Sequence, residues 1–313
     1  MIVIKIVGVI VFVLLSVAFF TVAERKYMSS IQRRRGPNVI GVYGILQAFA
    51  DGLKLIVKEN TKPIGADSIL YNMSPIVIFI VSISCWSMLP VGEGMVISDI
   101  SIGVMYILGI SSIAVYGVII GGYSSNSKYG FYGGIRSSVQ MISYEVSIGF
   151  IIGIVAMRVG GVMNMTEIVI EQERCWNMIG LLPVFIMFII SVVAETNRHP
   201  FDLVEAESEL VSGYNVEYSG GGFTLFFLGE YSSIILMSSM VTIMFLGGWR
   251  GIFGINSVIM YSIKTFIIMC MFIWLRAAYP RYRYDQLIDI GWKRLLPISL
   301  GWLMLEIGIY SIV

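Results

Sequence analysis

The chain is built from eight long apolar segments separated by polar connections. A helix that crosses a bilayer needs about 20 mostly apolar residues. The segments lack the alternation of a membrane barrel, and backbone groups in lipid must pair within the segment. We therefore predict eight transmembrane helices, of which the fifth is short and the sixth is long enough to tilt or kink. The predicted bounds are Ile2–Ala23, Ile69–Leu89, Ile100–Ile120, Val139–Met157, Ile179–Ala194, Gly220–Leu246, Val258–Ala278 and Leu295–Val313.

The first connection, residues 24–68, contains a shorter periodic segment. Leu46, Phe49, Leu53 and Ile56 recur at helical spacing, and polar side chains form a second stripe. The pattern predicts an amphipathic helix that lies at the membrane interface or against the bundle. A helix that merely seals the bundle explains the same pattern.

Composition supports a membrane protein with an all-α fold and a single polytopic domain, residues 1–313. Hydrophobic residues make up 57% of the chain and charged residues 13%, whereas soluble domains have about 25% charged residues. The net charge is +1, and no basic tract with interleaved aromatic residues indicates a nucleic acid partner. The chain has three widely spaced cysteines and one histidine, so we expect it to carry no haem, iron–sulfur cluster or metal site. It has no dinucleotide-binding fingerprint, so we expect no flavin either.

The lysines and arginines predict an orientation. Sixteen of the 21 lie in or beside the connections after spans 1, 3, 5 and 7, and the positive-inside rule places those connections on the cytoplasmic or matrix side. The N-terminal apolar run is too long for a signal peptide and lacks transit-peptide character. The abundance of isoleucine over alanine favours an AT-rich genome. These features favour the mitochondrial inner membrane over a bacterial plasma membrane.

The fifth connection is unusually acidic. It holds six of the 20 carboxylates within residues 195–217, and acidic residues contribute little to topology. Carboxylates at this density raise one another's pKa values, and partial burial adds to this. The pattern predicts groups that exchange protons near neutral pH, although a solvated acidic loop remains an alternative. The six are Glu195, Asp202, Glu205, Glu207, Glu209 and Glu217.

Glu145, Glu230 and Lys264 lie well inside predicted spans, whereas Lys5 and Arg276 are close to span ends and Glu306 is expected near the outer surface. A charge at mid-bilayer costs about 2.5–3.5 kcal/mol on insertion scales, and such residues usually mark proton or ion paths. A structural ion pair between Glu230 and Lys264 is the competing interpretation.

Two basic connections complete the inner side. The first connection carries a cluster of cations from Arg33 to Arg35, and the seventh alternates arginine with tyrosine from Arg276 to Asp285. Anchoring at the membrane surface explains both patterns. The first also suits a rim of donors for a polar head group, and the second suits a protein partner.

Several motifs together resemble one family, subunit 1 of respiratory complex I, the membrane subunit of NADH:ubiquinone oxidoreductase. The resemblance extends over nearly the whole chain. The motifs are Ala23-Glu-Arg-Lys26, Gln32-Arg-Arg-Arg-Gly-Pro-Asn38, Ala50-Asp-Gly-Leu-Lys54, Ser143-Tyr-Glu-Val146, Ala194-Glu-Thr-Asn-Arg198, Pro200-Phe-Asp-Leu203, Glu207-Ser-Glu-Leu210, Tyr214-Asn-Val-Glu-Tyr218 and Arg281-Tyr-Arg-Tyr-Asp-Gln286.

The resemblance implies quinone reduction coupled to proton pumping, with ubiquinone as the substrate. It implies that the chain acts as a subunit of the enzyme and is not catalytic alone. The implied partners are the peripheral quinone-site and iron–sulfur subunits, the small antiporter-side membrane subunits and lipids. The implied quinone-tunnel residues are Arg25, Gln32, Arg34, Asp51, Phe226, Phe227 and Arg276. The implied proton-path residues are Glu195, Asp202, Glu205, Glu207, Glu217, Glu145, Glu230 and Lys264.

The sequence departs from the family pattern at Arg35, where lysine is frequent, and at His199, where alanine or threonine is usual. The histidine either alters the proton affinity of the acidic stretch or is a tolerated substitution. Two other functions remain open at this point. One is the related membrane subunit of an ion-pumping hydrogenase, and the other is a stand-alone proton or cation transporter, which should show inverted repeats that are not visible here.

Overall fold

A computed structural model describes residues 2–173, 175–202, 213–251 and 257–312. Every regular element within these ranges is helical, which confirms the predicted all-α membrane fold. The helices are α1 (Ile2–Ile31), α2 (Gln47–Val57), α3 (Ser68–Ser84), α4 (Gly103–Ser124), α5 (Lys128–Arg158), α6 (Met165–Glu171), α7 (Asn177–Gly180), α8 (Leu182–Glu195), α9 (Gly220–Phe245), α10 (Ser257–Ala278), α11 (Tyr284–Asp289) and α12 (Leu296–Ile312). A π-helical segment, Ile290–Leu295, joins α11 to α12.

Six of the described helices are long and apolar enough to span a bilayer: α1, α3 with its 3-10 extension to Met88, α4, α5, α9 and α10. The other two predicted spans correspond to shorter helices. Helix α8 has 14 residues, and α7 precedes it almost directly. Helix α12 has 17 residues and continues from the π-helical segment.

The connections sort onto two ends of the bundle. At one end, Asp67 N donates to Ser124 O, and Arg198 and Arg276 both reach Glu24. These contacts bring the first, third, fifth and seventh connections together. At the other end, Val104 N donates to Met163 O and Arg250 pairs with Glu173. The division matches the alternation that eight consecutive spans require.

Helix α9 is the central element. It contacts α1, α2, α3 and α10, and most of its side chains are buried on all sides. A helix that is hydrophobic all round belongs in the interior of a bundle. Its position explains how the residues of one helix can face several different helices at once.

The amphipathic helix α2 covers nearly the whole periodic segment from Leu46 to Ile56 that the sequence predicts to be helical. Its apolar side chains Leu46, Phe49, Leu53 and Ile56 are all exposed on the isolated chain. Phe49 meets Phe19 of α1 edge to face at 6.1 Å. The apolar stripe therefore faces outward beside α1, as a helix at the membrane interface does.

A small residue in α5 lets the end of the acidic connection pack closely. The 3-10 turn Gly213–Asn215 lies against α5 at Gly133. A Cβ atom at Gly133 would come within 2.6 Å of the Cα of Gly213. Small residues allow this kind of close backbone approach between membrane segments.

Candidate functional site

Glu24 is the centre of the polar site. It lies near the end of α1 beyond the first 20 residues, where a spanning helix leaves the hydrocarbon, and only 6% of its surface is exposed. Tyr231 of α9 donates its hydroxyl hydrogen to Glu24 Oε2 at 2.6 Å, Arg198 Nη1 lies 3.3 Å from Oε1, and Arg276 also donates to Oε1. Three donors from three separate parts of the chain therefore converge on one buried carboxylate.

Arg198 links this carboxylate to a second one. Its Nε atom lies 3.8 Å from Glu230 Oε1, and its guanidinium lies 4.4 Å from the centre of the Tyr231 ring. Burial disfavours its charge, but Tyr231, Glu24 and Glu230 outweigh burial and raise the pKa of Arg198. The guanidinium therefore stays charged and bridges Glu24 to Glu230.

A cavity of about 570 Å³ opens beside Glu24. Five of its lining residues are arginines, contributed by α1, the first connection, the fifth connection and the end of α10. The volume is in the range of small-molecule sites. The lining residues are Glu24, Arg25, Met28, Ser29, Arg34, Arg35, Gly36, Pro37, Arg198, Phe227, Tyr231 and Arg276.

Two predicted tunnel residues, Asp51 and Gln32, contact arginines that line the cavity. Asp51 of α2 accepts a hydrogen bond from Arg25 at 2.8 Å and one from Gln47 at 2.9 Å. Gln32 accepts one from Arg34 at 2.8 Å. Asp51 and Gln32 do not line the cavity, but they orient two arginines that do.

One face of α9 forms an aromatic row that runs toward Glu24. Phe223, Phe227 and Tyr231 are four residues apart, with ring centres 6.1 Å and 4.4 Å apart. Phe226 faces another direction: it is almost fully buried against Tyr214 and Tyr218. The structure therefore places Phe227 on the cavity and Phe226 in the core, because neighbouring helical residues point about 100° apart.

A smaller internal cavity of about 80 Å³ lies beyond Arg198. Glu230 and Glu195 both line it, together with Ser82, Ser111 and several apolar side chains. Glu195 Oε2 is buried and makes no hydrogen bond with the described residues. Water needs a polar site of about 10–15 Å³ or more, so this cavity has room for water between the two carboxylates.

Glu145 continues this line within α5. Its charge interacts with that of Glu195, and its side chain lies next to Ser111, which also lines the internal cavity. The structure thus brings Glu230, Glu195 and Glu145 together.

Asp202 lies beside the seventh connection. It is buried, and Arg281 Nη2 lies 3.5 Å from its Oδ2 atom. The ring of Phe201 stacks on Tyr282 at 5.5 Å, and Tyr282 N donates to Pro200 O. The fifth and seventh connections are therefore fastened together directly beside Glu24.

His199 is half-buried next to these groups. Burial lowers the pKa of His199 below its ordinary 6.5, and Arg281 and Arg276 lower it further, while the Asp202 carboxylate acts in the opposite sense. The imidazole is therefore neutral at pH 7.

Lys264 is far from this line of carboxylates along the bundle. Its ammonium donates to the carbonyl oxygens of Leu246, Gly248 and Arg250, at 2.6, 3.1 and 2.7 Å, and lies 4.9 Å from the Trp176 ring. Glu230 pairs with Arg198 instead. The alternative of a Glu230–Lys264 ion pair is therefore wrong, and Lys264 stabilises the carboxyl end of α9, where cations are favoured.

The remaining carboxylates have separate positions. The backbone carbonyl of Glu217 accepts a hydrogen bond from Tyr71 at 2.7 Å, and the Glu217 side chain is partly buried. Glu205, Glu207 and Glu209 lie outside the described residues.

Sequence reasoning missed the two groups that organise the site. Glu24 belongs to one of the family motifs but is not among the residues to which the motifs give a role, and neither is Tyr231. A usable signal exists for Glu24: it is a carboxylate that directly precedes Arg25 and Lys26 at the end of a predicted span. Tyr231 gives no signal, because a tyrosine in an apolar helix is ordinary.

The arrangement combines two chemical capacities. The larger cavity offers guanidinium and phenol donors to the polar head of a neutral or anionic molecule, with aromatic rings beside it for an apolar chain. The charged bridge through Arg198 then connects that cavity to buried carboxylates that can hold protons.

Comparison with known proteins identifies the family. The family model described as NADH dehydrogenase matches residues 4–307. The NADH-ubiquinone oxidoreductase chain 1 of Chondrus crispus is 54% identical over 98% of this chain and 95% of its own length. The corresponding protein of Arabidopsis thaliana is 53% identical over 95% of this chain and 93% of its own length. A bacterial relative, from the NADH-quinone oxidoreductase of Paramagnetospirillum magneticum, is 48% identical over 99% of this chain and 92% of its own length. Matches this long and this similar show that the chain belongs to the NADH dehydrogenase family that includes chain 1 of NADH-ubiquinone oxidoreductase.

Proposed function

We propose that this chain forms the membrane part of the quinone site in a proton-pumping NADH:ubiquinone oxidoreductase and the beginning of the acidic path that leads protons away from it. The observation that carries the proposal is the convergence of Arg198, Arg276 and Tyr231 on Glu24, beside a cavity of about 570 Å³. The relatives described above are named as parts of NADH-quinone or NADH-ubiquinone oxidoreductases, and none of them is named as a hydrogenase component or a transporter.

The cavity suits a quinone because it pairs polar donors with an aromatic approach. A quinone head has two carbonyl oxygens that accept hydrogen bonds, and the guanidinium groups of Arg25, Arg34 and Arg276 face the space. The row of Phe223, Phe227 and Tyr231 offers an apolar surface for an isoprenoid tail. Asp51 and Gln32 then act by orienting the arginines.

The proton path begins where the quinone cavity ends. A change in charge at the head group acts first on Glu24, and Arg198 couples Glu24 to Glu230 across its guanidinium. Glu230, the internal cavity and Glu195 provide the next proton-holding positions, and Glu145 follows. We assign Asp202, Glu205, Glu207 and Glu217 to the same path, on the basis of the family resemblance and the position of Asp202 beside His199 and Arg281.

The chain works within a larger assembly. We infer that the electrons arrive from peripheral quinone-site and iron–sulfur subunits, because the relatives are named as parts of NADH-quinone or NADH-ubiquinone oxidoreductases. The exposed faces of the helices suit contact with small antiporter-side membrane subunits and with lipids. We place the complex in the mitochondrial inner membrane, with the connections around Glu24 facing the matrix.

A photoreactive ubiquinone analogue tests the quinone assignment in the intact complex. We expect it to label peptides from the end of α1, the first connection or α9, and excess ubiquinone to compete. Labelling that is confined to other subunits would contradict the assignment. A Glu205→Gln or Glu207→Gln variant tests the path, because each should impair quinone reduction while electron entry from NADH remains intact.

A further inference from the structure

The charged bridge depends on the exact position of one short segment, residues 194–201. Arg198 is in the middle of this segment and contacts Glu24 and Glu230 on other helices. The segment begins in the last turn of α8, where Asn197 N donates to Ala194 O at 3.1 Å and Arg198 N donates to Val193 O at 3.3 Å. The hydrogen bonds that hold this segment therefore set the place of Arg198.

Gln140 of α5 holds both ends of the segment. Its Nε2 atom donates one hydrogen to Ala194 O at 2.8 Å and the other to Phe201 O at 2.9 Å. The side chain has no exposed surface. Because both acceptors are carbonyl groups, only the amide nitrogen can face them, and both of its hydrogens are used.

The same face of α5 also fixes the neighbouring connection. Tyr144, one turn after Gln140, donates its hydroxyl hydrogen to Leu287 O at 2.9 Å, and its ring lies 6.0 Å from that of Phe201. Phe201 in turn stacks on Tyr282. Gln140 is thus part of one packed unit that holds the fifth and seventh connections against α5.

We propose that Gln140 is a positioning residue of the quinone site, whose two hydrogen bonds hold residues 194–201 where Arg198 joins Glu24 to Glu230. This inference rests on the quinone function proposed above. It predicts an effect on quinone kinetics from a residue that lines neither the cavity beside Glu24 nor the internal cavity.

The first experiment replaces Gln140 by methionine in the assembled complex. Methionine has a similar volume but cannot donate to the two carbonyl groups, so residues 194–201 should shift. We expect kcat/KM for a short-chain ubiquinone to fall about tenfold or more, since small displacements in a site reduce rates by such factors. The NADH–ferricyanide rate, which reports electron entry, should stay unchanged.

A matched control is available at the other end of the bundle. Gln172 is also buried, and its Nε2 atom also donates to two carbonyl groups, those of Ile168 and Ile243. We expect Gln172→Met to lower the thermal stability of the complex without changing the quinone KM or the pH profile. Equal kinetic effects of Gln140→Met and Gln172→Met would overturn the proposal and indicate a general loss of packing.

A second variant, Gln140→Glu, tests the proposal through the pH dependence of the quinone reductase rate, which a purely structural role of Gln140 would not change. A carboxylate at this position would face two carbonyl oxygens, whereas the protonated acid donates to one of them. We expect the quinone reductase rate of Gln140→Glu, relative to the wild type, to rise as the pH falls. A pH-independent ratio close to one would overturn the proposal.

The outcomes also separate this proposal from the quinone assignment. If photoreactive ubiquinone labels the wild-type cavity but Gln140→Met retains wild-type kinetics, only the positioning role fails. If the wild-type chain is not labelled, the quinone assignment itself fails.

Discussion

At the scale of single residues, the site depends on a carboxylate shared by three donors. The Tyr231 hydroxyl contact with Glu24 is short, at 2.6 Å, and buried. Hydrogen bonds to charged groups contribute about 1.5–3 kcal/mol. Without the Tyr231 hydrogen bond, Glu24 contacts only Arg198 and Arg276 among these three donors. The two arginines should then draw the carboxylate away from the cavity face of α9.

We predict that Tyr231→Phe lowers quinone reductase kcat/KM about tenfold or more, in line with that hydrogen-bond energy. The NADH–ferricyanide rate should not change. Tyr261→Phe, at another buried tyrosine that does not line the cavity, is the control for loss of a hydroxyl group. Unchanged quinone kinetics in Tyr231→Phe would show that the Tyr231 hydroxyl group has no role in the quinone site.

His199 gives a prediction on pH. Its pKa is lower in the folded protein than the ordinary 6.5, so the unfolded chain holds more protons once the pH falls through about 6.5. Stability that is present above this pH is therefore lost as the pH decreases further. We expect His199→Thr to inactivate more slowly than the wild type at pH 5.5 and at the same rate at pH 8. The half-life of activity at fixed temperature measures this, and identical half-lives at both pH values would contradict it.

The residue scale also shows where sequence reasoning stops. The acidic stretch, the basic connections and the intramembrane charges are visible as patterns. The pairing of Glu24 with Arg198 and Arg276 is not, because those residues are 174 and 252 positions apart. Periodicity reports only neighbours within one element, so pairing across elements needs the three-dimensional structure.

At the scale of elements, six of the eight predicted spans are described helices long and apolar enough to cross a bilayer, since bilayer thickness sets helix length directly. The bounds of α2, α9 and α10 lie within a few residues of those expected. Helix α5 begins at Lys128, eleven residues before its predicted start at Val139. The first turns of α5 contain glycines and polar residues, and they pack against α4 and the 213–215 turn. A prediction from local hydrophobicity misses these turns because it does not include packing between elements.

Helix α9 offers a matched pair of neighbouring phenylalanines. Phe227 lines the cavity and continues the aromatic row, whereas Phe226 is packed among Tyr214 and Tyr218. We predict that Phe227→Ala raises the KM for a long-chain ubiquinone more than that for a short-chain analogue. Phe226→Ala should instead reduce the amount of assembled complex, since Phe to Ala in a core costs about 3–5 kcal/mol.

Comparing Phe227→Ala with Phe226→Ala shows on which side of α9 the isoprenoid tail of ubiquinone lies. A similar rise in the long-chain KM for both variants would show that the two rings act only through the packing of α9. A selective rise in Phe226→Ala would place the tail on the Tyr214 side of the helix.

At the scale of the whole molecule, the bundle separates two kinds of buried charge. At the end that holds Glu24, carboxylates and arginines surround cavities. At the opposite end, the buried charges are held by structural partners: Lys264 by three carbonyl groups, and Glu306 by Arg158 at 3.7 Å. Sequence alone treats Lys264 and Glu230 alike, because both are charges inside apolar helices. Their surroundings differ: Glu230 lines the internal cavity, whereas the Lys264 ammonium is bonded to three carbonyl groups.

This difference gives a direct test with Glu195 and Glu306, which are similarly buried carboxylates. Glu195 lines the internal cavity and has an oxygen atom without a hydrogen-bond partner among the described residues. Glutamine has nearly the same shape but cannot carry a proton, so we expect Glu195→Gln to reduce the number of protons pumped per NADH oxidised, or to slow quinone reduction with it.

Glu306→Gln should leave both quantities close to wild type, because Glu306 pairs with Arg158 at the opposite end of the bundle and does not line the internal cavity. Proton uptake in sealed vesicles, measured together with NADH oxidation, gives the ratio. Normal pumping in Glu195→Gln would mean that protons bypass the internal cavity, and the path would then have to run through the acidic residues between Asp202 and Glu217.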